Sequence, residues 1–298
     1  MSAAITLAAG ELSVVVEPAF GGRISAFRHG DIDLLHPIPD AAPRDLVDMA
    51  SGGSFPLVPW SNRIRDARLT LGGETHLLSV TEHPAGHAIH GHGLRRIWSA
   101  EQGPHAVILR YGHVAGGEGW PWSYVAEQRF SLSETVLSVT LAVANTSHAA
   151  MPAGLGLHPY FPRTSGTRIT CPVETAWPPT EADKFPAAGA TAVPDDQDRS
   201  EPGPVPLGLD LGYGGWSGLA RIAWPERGLA LTMTGEAALG HVIVYTPPHR
   251  PYFCIEPVTH CIDAANLAEN QGLAGTGHRM LDPGEEMAVT VEFIVEVI

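Results

Sequence analysis

The sequence predicts an all-β protein, and three observations carry that expectation. First, 33 Gly and 26 Pro among 298 residues make about a fifth of the chain residues that interrupt regular structure. Second, 44% of the residues are hydrophobic and 17% are charged, against a usual charged share of about a quarter. Such a chain is too apolar for disorder and long enough to bury a large core. Third, apolar residues recur in short alternating runs while helical periodicity is nearly absent. Helical bundles, coiled coils and long α-solenoids need extended runs free of Gly and Pro, so this composition argues against all three.

The β-rich runs fall at 12–17, 106–111, 123–132, 136–144, 229–234, 241–246 and 287–297. In the last of these, Val289, Val291, Phe293, Val295 and Val297 stand two residues apart, which places them on one face of a strand. Pro225-Glu-Arg-Gly228, set between two apolar runs, predicts a hairpin turn. Residues 264–270 allow at most a short turn of helix. The longest irregular stretch is 178–206, rich in Pro, Ala, Gly and Asp. As a linker it would leave about 90 residues to build a separate core, so a surface excursion within a single domain spanning 1–298 is the better reading.

Charge narrows the partners. Lys+Arg is 18 and Asp+Glu is 32, a formal net charge of −14. With no basic run, the chain lacks the electrostatic footprint of a nucleic-acid binder. Lys184 is the only lysine and falls in the irregular stretch, which speaks against Schiff-base and pyridoxal-phosphate chemistry. No G-x-x-x-x-G-K-[ST] loop occurs. Cys171, Cys254 and Cys261 fit neither a disulfide framework nor a C-x-x-C metal knuckle. The first residues show no basic region before an apolar one, so neither a signal peptide nor a membrane span is expected, and a cytoplasmic protein is. Asn145-Thr-Ser matches a glycosylation acceptor but reads better as a turn after a strand.

Four segments could carry chemistry. His83, His87, His90 and His92 lie within ten residues, and His90-Gly-His92 on a strand would turn both rings to one face, as a metal site requires. Sites of that kind add a glutamate after three to four intervening residues, where this chain has Arg96 and Ile97; no H-E-x-x-H occurs. A hydrogen-bonding or catalytic role for one of the four fits better, with His83 and His87 in a loop, and no metal is expected. In Tyr252-Phe-Cys-Ile-Glu256-Pro-Val, a carboxylate stands inside an apolar strand. It is either a solvated strand residue or a group withdrawn from water, whose pKa would then rise toward that of a general base. Ala153-Gly-Leu-Gly-Leu-His158-Pro-Tyr-Phe161 sets a histidine among apolar residues, either as a satisfied core histidine or as an imidazole fixed at a strand end. Phe55-Pro-Leu-Val-Pro-Trp-Ser-Asn62-Arg63-Ile64-Arg65 supplies an Asn-Arg pair after two prolines. Arg63, Arg65, Arg95 and Arg96 could meet an anionic substrate or flank strands on the surface. No G-x-S-x-G or S-x-x-K supports a serine hydrolase.

Taken together, Asn62-Arg63-Ile64, His90-Gly91, the G-x-G-x-H-P-Y-F block ending at Phe161 and Cys254-Ile-Glu-Pro-Val-Thr259 resemble the aldose 1-epimerases, the galactose mutarotase family, in family order. Gly21-Gly22-Arg23-Ile24, Asn145-Thr-Ser and Ala264-Ala265-Asn266 extend the likeness over nearly the whole chain. The resemblance implies a large antiparallel β-sandwich with a sugar across one concave face. It implies Glu256 as general base, His158 as general acid, His90 on the ring oxygen, and Arg63, Asn62 and, on a looser local pattern, Asp210 on sugar hydroxyls. The expected activity is interconversion of the α and β anomers of a free hexose, such as galactose or glucose, with no cofactor. Trp60, Trp122 or Trp216 could stack on the sugar or be buried. A hexose-phosphate mutarotase, a carbohydrate-binding protein without turnover and a two-carboxylate glycosidase are the alternatives. A monomer or homodimer with a small-molecule sugar as its partner is expected.

Overall fold

A computed structural model describes residues 4–39, 41–44, 51–180, 183–186 and 188–298. Its architecture is two large antiparallel sheets. The first runs in the order Ile5–Ala9, Leu12–Glu17, Arg23–His29, Ser54–Leu57, Gly156–Pro162, Tyr252–Val258, His241–Tyr245, Asp210–Gly214, Thr175–Trp177 and Thr191–Ala192, with Ile32–Asp33 beside Arg23–His29. The second runs Ser99–Gln102, Ala106–His113, Tyr124–Leu132, Val136–Asn145, Glu286–Val297, Leu229–Gly235, Leu219–Trp224, Arg168–Thr170 and Gly203–Pro204. Every pairing within the two is antiparallel, and sequence-distant strands meet at both centres.

The second sheet has one buried face and one facing water, and its strands alternate accordingly. Val136–Asn145 pairs with Glu286–Val297, and Leu137, Val139, Leu141 and Val143 on one strand match buried Phe293, Val291, Val289 and Met287 on the other. The expected alternation therefore holds except at its last residue, since Val297 is 77% exposed where the strand ends. These side chains pack against Val14, Val16, Phe27, Phe161, Phe253 and Ile255 of the first sheet, closing a shared core. Gly228 takes a left-handed conformation after Pro225–Arg227 and closes the expected hairpin between Leu219–Trp224 and Leu229–Gly235.

In the first sheet the central strands Gly156–Pro162 and Tyr252–Val258 are buried along their whole length on both faces. One face meets the shared core. The other meets a second apolar cluster that includes Phe55, Tyr160, Phe185, Ile243, Tyr252 and Cys254. Within the stretch 178–206, Phe185 packs into this outer cluster, Val193 and Val205 pack against the shared core, Thr191–Ala192 joins the first sheet and Gly203–Pro204 the second; Glu181, Ala182 and Ala187 lie outside the described residues. Helix is confined to Ala264–Gln271 and short 3-10 turns among the described residues. Among the described residues, no helix is long and apolar enough to cross a membrane. Asn145 is buried after its strand, its amide donating to the carbonyls of Ala149 and Leu281, which fits the turn reading.

Candidate active site

Two rows of side chains cross the outer face of the first sheet. In one, Asp210 pairs with Tyr245, Tyr245 with Cys254, and Cys254 with Tyr160. In the next, Ile243 pairs with Glu256, while His158 pairs with Phe55 on the other side. Alternation then sets His158 and Tyr160, Tyr252, Cys254 and Glu256, and Tyr245 and Asp210 on the same face. Above them lies a cavity of about 210 Å³ lined by Asn62, Arg63, Glu82, His90, His158, Tyr160, Lys184, Asp210, Tyr245, Tyr252 and Glu256, among others. All six residues singled out for catalysis or sugar binding line this one cavity.

At its floor, His158 Nε2 lies 3.2 Å from Glu256 Oε1, with the Glu256 side chain only 2% exposed. Glu256 Oε2 is buried and has no hydrogen-bond partner among the described residues. Burial raises the Glu256 pKa well above the carboxylate range; the charge of Asp210 pushes the same way, and Arg63 opposes both. Burial likewise lowers the His158 pKa to about 3. The pair therefore rests uncharged, with one proton between carboxyl and imidazole. The His158 ring is clamped between Phe55, 4.4 Å away by centroid, and Tyr160, stacked at 4.7 Å.

His90 enters from a different element. Arg63–Ile64 pairs with Ala88–Ile89, and the His90 N–H donates to the carbonyl of Asn62 at 2.9 Å. In return, the Asn62 N–H donates to His90 Nδ1 at 3.2 Å. Burial lowers the His90 pKa well below the ordinary imidazole value, with neighbouring His158, Arg63 and Arg95 adding to it. The ring is therefore neutral, and because Nδ1 accepts, the proton sits on Nε2 as a donor. Both Asn62 and His90 hold positive φ, at 51° and 65°. Gly91 follows at φ 67°, where a Cβ would fall 2.1 Å from the Val58 carbonyl oxygen, so only glycine fits. This crossing corrects the strand expected for His90-Gly-His92. The two rings part: His92 stacks on His113 at 4.4 Å and bonds the Tyr124 hydroxyl at 2.8 Å, away from the cavity.

Arg63 is held by Glu82, which takes Nε at 2.9 Å and Nη2 at 2.8 Å. That leaves Nη1 to Asn62 Oδ1 at 3.2 Å and to Asp210 Oδ1 at 4.0 Å. Burial works to depress the Arg63 pKa, but the Glu82 bonds and the Asp210 charge outweigh it and raise the value. Lys184 lies in irregular chain as expected, yet it reaches the cavity and pairs with Asp210 there. Its neighbours fasten that segment: Asp183 bonds Arg65 at 2.5 Å, and Phe185 is 1% exposed under the Arg65 guanidinium and the edge of His87. Glu82, Tyr245 and Lys184 were missed in the sequence. The one signal for Glu82 was indirect, since a buried arginine demands a carboxylate without saying which.

Other expectations are redirected. Trp60, Trp122 and Trp216 do not line the cavity. Trp60 stacks on Trp120 beside a separate hollow of about 30 Å³, Trp122 packs on His76, and Trp216 donates to the Leu219 carbonyl. Tyrosines take the place of tryptophan around the cavity. Arg95 is buried, donating to the carbonyls of Ile89 and Gly91, and Arg96 pairs with Glu118 at 2.5 Å. Neither is a spare cation for a phosphate.

Similarity to known proteins agrees with this fold. The family model for aldose 1-epimerase matches residues 3–293. The uncharacterized protein YphB of Escherichia coli K12 is 31% identical, over 97% of this chain and 99% of its own. A crystal structure from Escherichia coli K12, assigned provisionally to the aldose 1-epimerases, has a TM-score of 0.85 at 27% identity over 99% of both chains. A galactose mutarotase-like protein of Clostridium acetobutylicum shares the fold, with a TM-score of 0.85 at 18% identity, covering 99% of this chain and 95% of its own. The chain belongs to the aldose 1-epimerase family, a family of isomerases.

Proposed function

We propose that this enzyme interconverts the α and β anomers of a free hexose such as galactose or glucose, with Glu256 as base and His158 as acid. The observation that carries the reading is the buried 3.2 Å contact between Glu256 Oε1 and His158 Nε2 on the cavity floor, beside the unpartnered Oε2. Ring opening removes the proton of the C1 hydroxyl and protonates the ring oxygen. Glu256 Oε2 accepts the first proton, and His158 delivers the second from the tautomer that carries the shared proton on nitrogen. The aldehyde turns about C1–C2 and recloses on its other face, with the two groups exchanging roles. Because the pair starts and ends with one proton, no net charge is created in a buried site. Each group contributes on the order of 10²–10⁴-fold. His90 Nε2–H donates to the ring oxygen, and Arg63, Asn62 and Asp210 orient the hydroxyls.

A free sugar fits better than a phosphorylated one because the nearby cations are matched by carboxylates or held on carbonyls. Glu82 holds Arg63, Asp210 pairs Lys184, Asp183 pairs Arg65 and Glu118 pairs Arg96. We further propose that residues 1–298 act as one domain, since one apolar cluster draws on residues from Leu7 to Val295, and that the protein works in the cytoplasm. The decisive measurement is polarimetry or proton NMR of freshly dissolved α-D-galactose and α-D-glucose. Wild type is expected to speed equilibration well above the spontaneous rate, while Glu256→Gln binds sugar without accelerating it. Binding without acceleration by wild type would instead mark a carbohydrate-binding protein. Acceleration confined to glucose 6-phosphate would give the phosphate variant.

A further inference from the structure

We propose that the cavity floor binds one thiophilic divalent cation, such as Zn²⁺ or Cd²⁺, through His158, Cys254 and Glu256, and that its occupation blocks proton transfer. Cys254 and Glu256 stand two residues apart on Tyr252–Val258, and Tyr160 opposite Cys254 brings His158 alongside. One ligand atom from each of the three lies within 4.8 Å of the others. Zinc bound to nitrogen, oxygen and sulfur at ~2.0–2.3 Å holds its ligand atoms roughly 3.3–3.8 Å apart. His158 Nε2 and Glu256 Oε1, at 3.2 Å, already have nearly that spacing, and a small movement brings in Sγ.

The donor set is selective. Imidazole, thiolate and carboxylate suit zinc and its softer relatives, whereas Mg²⁺ and Ca²⁺ demand oxygen. Three protein ligands leave the fourth position facing the cavity, open to water or a sugar hydroxyl. Charge also closes. Binding forms three coordinate bonds and releases the protons of the Cys254 thiol and the Glu256 carboxyl to the buffer. The cation then meets two anions and a neutral imidazole, so the buried cluster carries no net charge. None of the three is more than 6% exposed; His158 and Glu256 line the cavity, and Cys254 is fully buried beside them. With Glu256 Oε1 and His158 Nε2 bound to the metal, the proton they shared is gone, and His158 has none to deliver to a sugar's ring oxygen. That inhibitory consequence rests on the proposed acid/base roles; the metal site itself does not.

Calorimetric titration of the full chain with ZnCl₂, in buffers of different ionisation enthalpy and with MgCl₂ as control, tests the proposal. One tight zinc per wild-type chain is expected, with two protons released and no comparable Mg²⁺ binding. Cys254→Ala should weaken that site by roughly 100-fold or more, beyond the ~10–100-fold cost of losing a supporting group. The same variant should keep its mutarotase rate and lose zinc inhibition. Cobalt loaded into wild type should show a thiolate-to-cobalt charge-transfer band, which decides the matter even if the variant fails to fold. Equal zinc binding by wild type and Cys254→Ala, absence of a tight site, or a cobalt spectrum without the thiolate band overturns the proposal. Zinc bound through Cys254 in a protein that accelerates no anomerisation leaves the metal site standing and removes the proposed function.

Discussion

Arg63 illustrates how a single buried charge is aimed. A guanidinium offers five donors in a rigid fork, and a carboxylate can occupy one edge bidentately, fixing the direction of the remaining donors. Glu82 takes that edge, so Nη1 is the corner presented to Asn62, Asp210 and the cavity. In Glu82→Gln an amide NH₂ replaces one acceptor and faces an N–H donor. Arg63 is then expected to turn toward Asp210, taking up the carboxylate that a sugar hydroxyl would use. Loss of ground-state positioning of this kind appears mainly in KM, which should rise about tenfold with a smaller change in kcat. Steady-state polarimetry over a range of sugar concentrations measures both. An unchanged KM would mean that Asn62 alone places Arg63.

At the scale of the strand, the acid/base contact depends on how closely Gly156–Pro162 and Tyr252–Val258 approach. A Cβ on Gly156 would fall 2.6 Å from the Pro257 carbonyl oxygen, a backbone atom that cannot swing away. Gly156→Ala must therefore push the two strands apart two residues from His158 and one from Glu256. A loss of about 1–3 kcal/mol in stability is expected from the overpacking. A fall in kcat of roughly 100-fold goes with it, the cost of misplacing reacting groups by about 1 Å. Gly112→Ala, on Ala106–His113 of the other sheet with open space around it, is the control and should leave both near wild type. The same contrast explains what the sequence disclosed. Five of the seven runs legible by alternation lie in the nine-stranded sheet, where water on one face forces polar residues into every second position. Gly156–Pro162 and Tyr252–Val258 are buried on both faces and carry no such period; a polar group among apolar neighbours marked His158 and Glu256 as candidates there, and only motif likeness gave them roles. Glu82 and Lys184 were invisible for another reason: they reach the cavity from irregular chain, where sequence neighbours say little about spatial ones.

For the whole molecule, the buried histidines set the acid limit of stability. Burial lowers the pKa of His92 to about 2 and of His260 to about 4, and moves His36, His90, His113, His241 and His278 in the same direction. A histidine whose folded pKa lies below its unfolded one binds its proton first in the unfolded chain. Stability is then complete above the unfolded pKa near 6.5 and falls as pH drops below it. At pH 5, His92 and His260 each cost about 2 kcal/mol on this account, a large part of an ordinary domain's ~5–15 kcal/mol. Two buried carboxyls act in the opposite sense. Burial raises Glu256 well above its usual value and Asp263 to about 6, so each is relieved as the medium acidifies. Counting His158 on the cavity floor, eight histidines against two carboxyls leave the histidine effect dominant. Urea unfolding at pH 7, 6 and 5 should show the midpoint falling steadily, before the exposed carboxylates begin to protonate near pH 4. A midpoint that holds level down to pH 5 would mean that these imidazoles reach solvent in the folded protein and take up protons there as readily as in the unfolded chain.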